Sequence, residues 1–145
     1  MKISEVGSRA RGSRSGASMA GVVPEYKRDV EAIFAALVAL RPPTTALIRA
    51  TDTWQFYYPT LHQLGLYAPS KRYWQKYNAI VHQVASRYQI PVARAYDAIN
   101  GPTGNKDPLA AGYVISDELH LTPKGATLLA NLYRDLGYRL ATAES

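Results

Sequence analysis

Two short apolar runs separated by one long segment of helical period constrain this chain more than any other feature in it. Residues 44–50 are bounded by prolines and a polar turn. That is the pattern of a strand buried on both faces, and hence of a parallel strand, with residues 90–96 as the second strand. Between them Tyr73, Trp74, Tyr77, Ile80, Val81, Val84 and Tyr88 recur at helical spacing over residues 71–89, with His82 on the flank, which predicts a crossover helix. Strand, crossover helix and strand make a βαβ unit, for which neighbouring parallel strands and a right-handed crossover are the default. Pro91 is tolerated near the start of the second strand. A further helix is predicted to open at Pro24, with Tyr26, Val30, Ile33, Phe34, Leu37 and Leu40 on one face, and to end at Arg41-Pro42-Pro43.

With 145 residues, the chain has the length of one domain and can bury a single core. No apolar run approaches a membrane span, and the N-terminus lacks the apolar core of a signal peptide, so export is unsupported and the default compartment is the cytoplasm. The absence of Cys excludes disulfides, thiolate zinc sites and a cysteine nucleophile. The net charge of +6 hints at nucleic acid, but half of it comes from Lys2, Arg9, Arg11 and Arg14 against Glu5 within residues 1–20. Over residues 21–145 charges of both signs are interspersed, as on an ordinary surface, which weighs against a nucleic-acid partner. Residues 1–20 are rich in Ser, Gly, Ala and Arg without periodicity, so they are expected to form a disordered basic tail preceding a folded portion over 21–145.

The chemistry concentrates near the end of the chain, in Ser116-Asp117-Glu118-Leu119-His120-Leu121-Thr122-Pro123-Lys124-Gly125. Thr122 suits an N-cap and Pro123 a first helical residue, which leaves Asp117 and His120 on the loop before a helix. A carboxylate there can hold an imidazole in one tautomer while its other nitrogen takes a proton from a hydroxyl. With six Asp and three His in the chain, a bare Asp-x-x-His arises by composition in roughly one chain in eight, so the spacing alone decides little. The sequel is more specific: Ala126, Leu128, Leu129, Leu132, Tyr133 and Leu136 follow at helical period, closed by Gly137. Two other readings stand beside a catalytic pair. Asp117 can be a helix-capping residue near an unrelated His120, or the two can be metal ligands. Zinc sites want three or four protein ligands, and only His62 and His82 remain, so no metal is expected.

In this block the chain resembles the SGNH (GDSL-type) serine esterase family, whose final block is Asp-x-x-His, an apolar residue, Ser or Thr, a Gly three positions on and an amphipathic helix. Asp117, His120, Thr122 and Gly125 match it, and Asn-Gly-Pro-x-Gly-x-x-Asp-Pro at Asn100 to Pro108 is similar to the family's penultimate loop. The resemblance covers about residues 22 to 140. It implies a three-layer α/β/α, flavodoxin-like α/β fold, truncated here to about two parallel strands and three helices. It also implies hydrolysis of a small carboxylic ester or acylated sugar without a cofactor, His120 acting as general base and acid and Asp117 as its orienting partner. Residues 52–70, with Trp54, Phe56, Tyr57, Tyr58 and Tyr67, form a connection too long and too aromatic to be a plain linker. By the resemblance it walls the acyl or alcohol pocket, with Trp54, Phe56 and Tyr57 binding substrate. The alternative is that these rings cover a sheet edge, with His62 on the surface or filling the core.

The family's Gly-Asp-Ser nucleophile block and Gly-x-Asn-Asp oxyanion block are not found. Val6-Gly7-Ser8-Arg9-Ala10-Arg11-Gly12 echoes the first without its Asp, and Gly104-Asn105-Lys106-Asp107 has the second's residues in the wrong order. Losing one oxyanion donor alone costs on the order of 10² to 10³ in rate, so weak or no activity is expected of this chain by itself. The competing reading is a fragment or non-catalytic interaction module that pairs with another copy through an exposed sheet edge.

Overall fold

The computed structural model describes residues 19–142. Most of the expected basic tail, Ser8 included, lies outside the described residues. In chain order the elements are α1 (Met19–Leu40), β1 (Ala50–Thr51), α2 (Tyr58–Gln63), α3 (Tyr67–Arg87), β2 (Val92–Ala93), α4 (Ala95–Asn100) and α5 (Pro123–Asp135). The architecture is α/β, with β1 and β2 adjacent and parallel (Ala50 opposite Val92, Thr51 opposite Ala93) and α3 between them in sequence. No helix among the described residues is long and apolar enough to cross a membrane.

Both strands are much shorter than the apolar runs that contain them. Residues 42–46 turn instead, because the amides of Thr45 and Ala46 both donate to the Pro42 carbonyl at 2.9 Å. The second run is cut short by α4. Asp52, just past β1, accepts the Tyr96 amide on Oδ1 at 2.9 Å and so satisfies a donor in the first turn of that helix from a distant part of the chain. Nor are the strands buried on both faces, since Ala50, Thr51 and Val92 remain half-buried. The outer helices also begin earlier than periodicity predicts. Helix α1 starts at Met19 with Pro24 inside it, and α3 starts at Tyr67 rather than residue 71. Pro24 removes one ladder bond, but only about a turn precedes it, where few such bonds exist to lose.

The main core lies between α1 and α3, where Val30, Ile80 and Val84 are buried and Val23, Tyr26, Phe34 and Tyr88 pack around them. Tyr26 meets Tyr77 at 4.7 Å between ring centroids, and Phe34 stacks on Tyr88 at 6.3 Å. Each fully buried aliphatic side chain here contributes about 1.5–3 kcal/mol. The apolar face of α1 is wider than α3 covers, so Ile33, Leu37 and Leu40 remain exposed. A second buried group, Ile90, Ala93, Tyr96, Ile99 and Val114, lies around β2 and α4. Helix α5 packs against α4 and β2, which brings the loop before α5 to its place.

Candidate active site

The loop before α5 is a small hairpin. Val114 and Leu121 form an antiparallel bridge, Ile115 donates its amide to the His120 carbonyl at 2.9 Å and Thr122 donates to the Tyr113 carbonyl at 2.9 Å. At the tip, Glu118 adopts a left-handed backbone, with φ of 59°. Thr122 caps α5, its hydroxyl oxygen accepting the Gly125 amide at 3.1 Å while its hydroxyl donates to the Gly112 carbonyl at 2.7 Å. Gly125 is tied to its position by space: a Cβ there would lie 2.2 Å from the Tyr113 carbonyl oxygen. Thr122 and Gly125 therefore fix the angle at which the hairpin enters the helix.

Asp117 is held within this tip. Its Oδ1 accepts the amides of Leu119 and His120, both at 2.9 Å, and its Oδ2 lies 2.6 Å from Nδ1 of His120. The imidazole contact and these two amides lower the Asp117 carboxyl from its ordinary 3.8 to about 2. An ionised carboxylate only accepts, so Nδ1 of His120 is the donor, and in the neutral ring Nε2 carries the lone pair. Both side chains are exposed, 72% for His120 and 43% for Asp117, so Nε2 is open to an incoming ligand. Among the described residues, no Ser or Thr hydroxyl is hydrogen-bonded to His120.

The long aromatic connection is pinned by buried amides. Asn78 on α3 accepts the Thr53 amide at 3.1 Å and donates to its carbonyl at 2.8 Å, while Asn100 at the end of α4 accepts the amide of buried Gln55 at 2.8 Å. Trp74 donates its indole N–H to the Trp54 carbonyl at 2.7 Å and lies 3.1 Å from that of Thr53. Phe56 packs edge-on against both Trp54 and Trp74, at 5.5 and 5.1 Å between centroids. The outcome is a cleft of about 390 Å³ lined by Trp54, Phe56, Leu119, His120 and Leu121. His62 packs in an aromatic cluster away from this cleft, stacked on Tyr67 at 4.0 Å and tilted against Tyr58 at 4.5 Å.

The structure thus brings His120, Trp54 and Phe56 together at one cleft, with Asp117 bonded to the imidazole. Tyr57 stands apart: it is exposed, with φ of 56°, and its amide donates to the Glu118 carbonyl at 3.2 Å. Glu118, for which the sequence predicts no role, ties the hairpin to the aromatic connection. Its carboxylate accepts the Thr60 hydroxyl at 2.8 Å and the Thr60 amide, in the first turn of α2, at 3.2 Å. No local pattern signals a tie between residues so far apart in the chain.

A second Asp–His pair, which no sequence spacing predicts, joins β1 to α3. Asp52 Oδ2 and His82 Nε2 are 2.8 Å apart, with Asp52 buried. The available signal was the place of Asp52 at the carboxyl end of a strand, where functional side chains of α/β sheets gather. The pair borders a polar cleft of about 310 Å³ that also includes Asn78, Arg94 and Tyr96. Among the described residues, no group of three or more His, Asp or Glu is arranged to hold a metal ion. Compared with known proteins, the chain matches no family model, no curated protein and no solved structure.

Proposed function

We propose that this chain is an SGNH-type ester hydrolase by ancestry and that it carries the acid–base half of that chemistry. The observation that carries the reading is the 2.6 Å contact between Asp117 and Nδ1 of His120 on the rim of an aromatic cleft. On this reading the two parallel strands belong to a flavodoxin-like three-layer α/β/α sheet. The ligand is a carboxylic ester or an acylated sugar, and no cofactor is required.

His120 acts through Nε2. With no hydroxyl held against it by the described residues, water is the nucleophile at hand. The imidazole takes a proton from water as the oxygen attacks the ester carbonyl, then returns a proton to the departing alcohol. Asp117 positions the ring and stabilises its protonated form. Water activation without a positioned nucleophile is slow, so weak turnover is expected.

The test is hydrolysis of a chromogenic short-chain ester by the purified chain. Slow turnover that falls to the buffer rate in His120→Ala supports the reading. Turnover indifferent to that substitution rules it out.

One observation favours a second reading, a non-catalytic interaction module. The two-stranded sheet leaves an outer edge on each strand, and Leu37, Leu40 and Leu47 are exposed along the cleft that reaches Arg49, just before β1. An edge with apolar flanks invites strand addition by another copy. Sedimentation separates the two readings, because a chain that stays monomeric at high concentration is no self-pairing module.

A further inference from the structure

The cleft beside His120 discriminates between the two kinds of ester that the proposed function admits. Its walls are the rings of Trp54 and Phe56 and the side chains of Leu119 and Leu121. Apart from the imidazole, the one polar side-chain group in the lining is the Trp54 indole N–H, and that atom is buried away from solvent. A sugar seated here finds no side-chain partner for its hydroxyls other than the imidazole, so these walls favour it no more than water does. A hydrocarbon chain loses nothing by entering. The walls are also preformed: Phe56 is wedged edge-on against both Trp54 and Trp74, and the Trp74 N–H is bonded to the Trp54 carbonyl. A ligand therefore does not have to order them. At about 390 Å³, the space lies toward the small end of the roughly 300–1,000 Å³ typical of small-molecule pockets.

We infer that this cleft is an acyl-chain site, which selects esters with a straight apolar acyl group of several carbons over acetylated sugars. The identity of the ligand as an acyl group rests on the ester-hydrolase reading above; the apolar selectivity rests on the lining alone.

Binding tests the inference separately from catalysis. The chain has two tryptophans, Trp54 and Trp74, one in the cleft wall and one directly behind Phe56, so intrinsic emission reports on this site. The probes are straight-chain 2-alkanones from butanone to decanone, neutral ester mimics that cannot be hydrolysed, and a methyl glucoside acetylated at O6. The expected result is a saturable change in emission with the alkanones, with affinity rising about fourfold per methylene, the equivalent of about 0.8 kcal/mol per buried CH₂, until the cleft is full. The acetylated glucoside leaves the emission unchanged. Phe56→Ala abolishes alkanone binding, and Leu119→Asn, at the half-buried tip of the hairpin, weakens it at least tenfold. Arg134→Ala, at the exposed end of α5, leaves it within twofold.

Equal affinity for butanone and decanone, or saturable binding of the acetylated glucoside, overturns the inference, as does undiminished binding in Leu119→Asn. Chain-length-dependent binding without any ester turnover keeps the acyl site and removes the catalytic reading. Turnover that depends on His120 but is flat from acetyl to octanoyl esters does the reverse.

Discussion

Asp52 and His82 meet at 2.8 Å between the end of β1 and the middle of α3, whereas Asp117 and His120 meet at 2.6 Å inside one hairpin. The groups and the distances are nearly the same, but the surroundings are not. Asp52 is 4% exposed, and its other oxygen holds the Tyr96 amide, so the first pair joins β1, α3 and α4. Asp117 spends its other oxygen on the two amides that follow it in the chain. The nitrogens differ as well. His82 is bonded through Nε2, which leaves Nδ1, the nitrogen nearest its own helix backbone. His120 is bonded through Nδ1, which leaves the outward Nε2 for a ligand. A short Asp–His contact therefore says little about role. What it fastens, and which nitrogen it leaves open, separates a structural tie from a pair with a nitrogen free to take a proton.

The widest separation is expected in catalysis. On the proposed function, His120→Ala removes the general base and takes hydrolysis of a chromogenic ester to the buffer rate, a loss of the order of 10² to 10⁴ where the base acts fully. His82→Ala leaves turnover per folded molecule unchanged. Parallel assays at equal concentrations of folded protein check this, and equal losses in both variants would erase the distinction.

Stability should invert the ranking. Asp52→Ala leaves the buried Tyr96 amide and the half-buried His82 without their partner and is expected to cost about 1–3 kcal/mol in urea unfolding. Asp117→Ala, in the exposed hairpin where the amides and the imidazole it releases can turn to water, should move the urea midpoint less. A smaller change sharpens the comparison from the side of the helix. Thr122→Ala removes the α5 cap for about 1 kcal/mol, and turnover should fall with it as the hairpin loses its fixed entry into the helix.

The smallest effect is electrostatic. Because the folded carboxyl of Asp117 is lowered from 3.8 to about 2, with the His120 contact as the largest cause, the folded hairpin binds this proton less readily than the unfolded chain. Its contribution to stability is complete above pH 3.8 and is lost as the pH falls through about 2. A carbon-13 titration of the Asp117 carboxyl should give a midpoint near 2 that moves back toward 3.8 in His120→Ala. An unmoved midpoint would show that the two amides, not the imidazole, set the shift.

The sequence determined what local patterns can encode. The helical period of Tyr77, Ile80 and Val84 fixed the crossover helix. Thr122 and Pro123 fixed the start of α5, and Asp117 and His120, three residues apart, had few ways to miss each other on a hairpin. Tertiary structure decided where the strands stop, because Asp52 caps α4 and turns the second apolar run into a helix after two strand residues. It also decided which aromatic residues line the cleft with the imidazole: Asn78, Asn100 and Trp74 hold the segment that places Trp54 and Phe56 there, while the Tyr57 amide is bonded to the Glu118 carbonyl and the Tyr57 side chain is exposed. The physical reason is reach. Periodicity and capping act within a few residues and leave their mark on the local sequence. A buried carboxylate or amide takes whichever donor folding brings beside it, however distant in the chain, and nothing in the neighbouring residues records that choice.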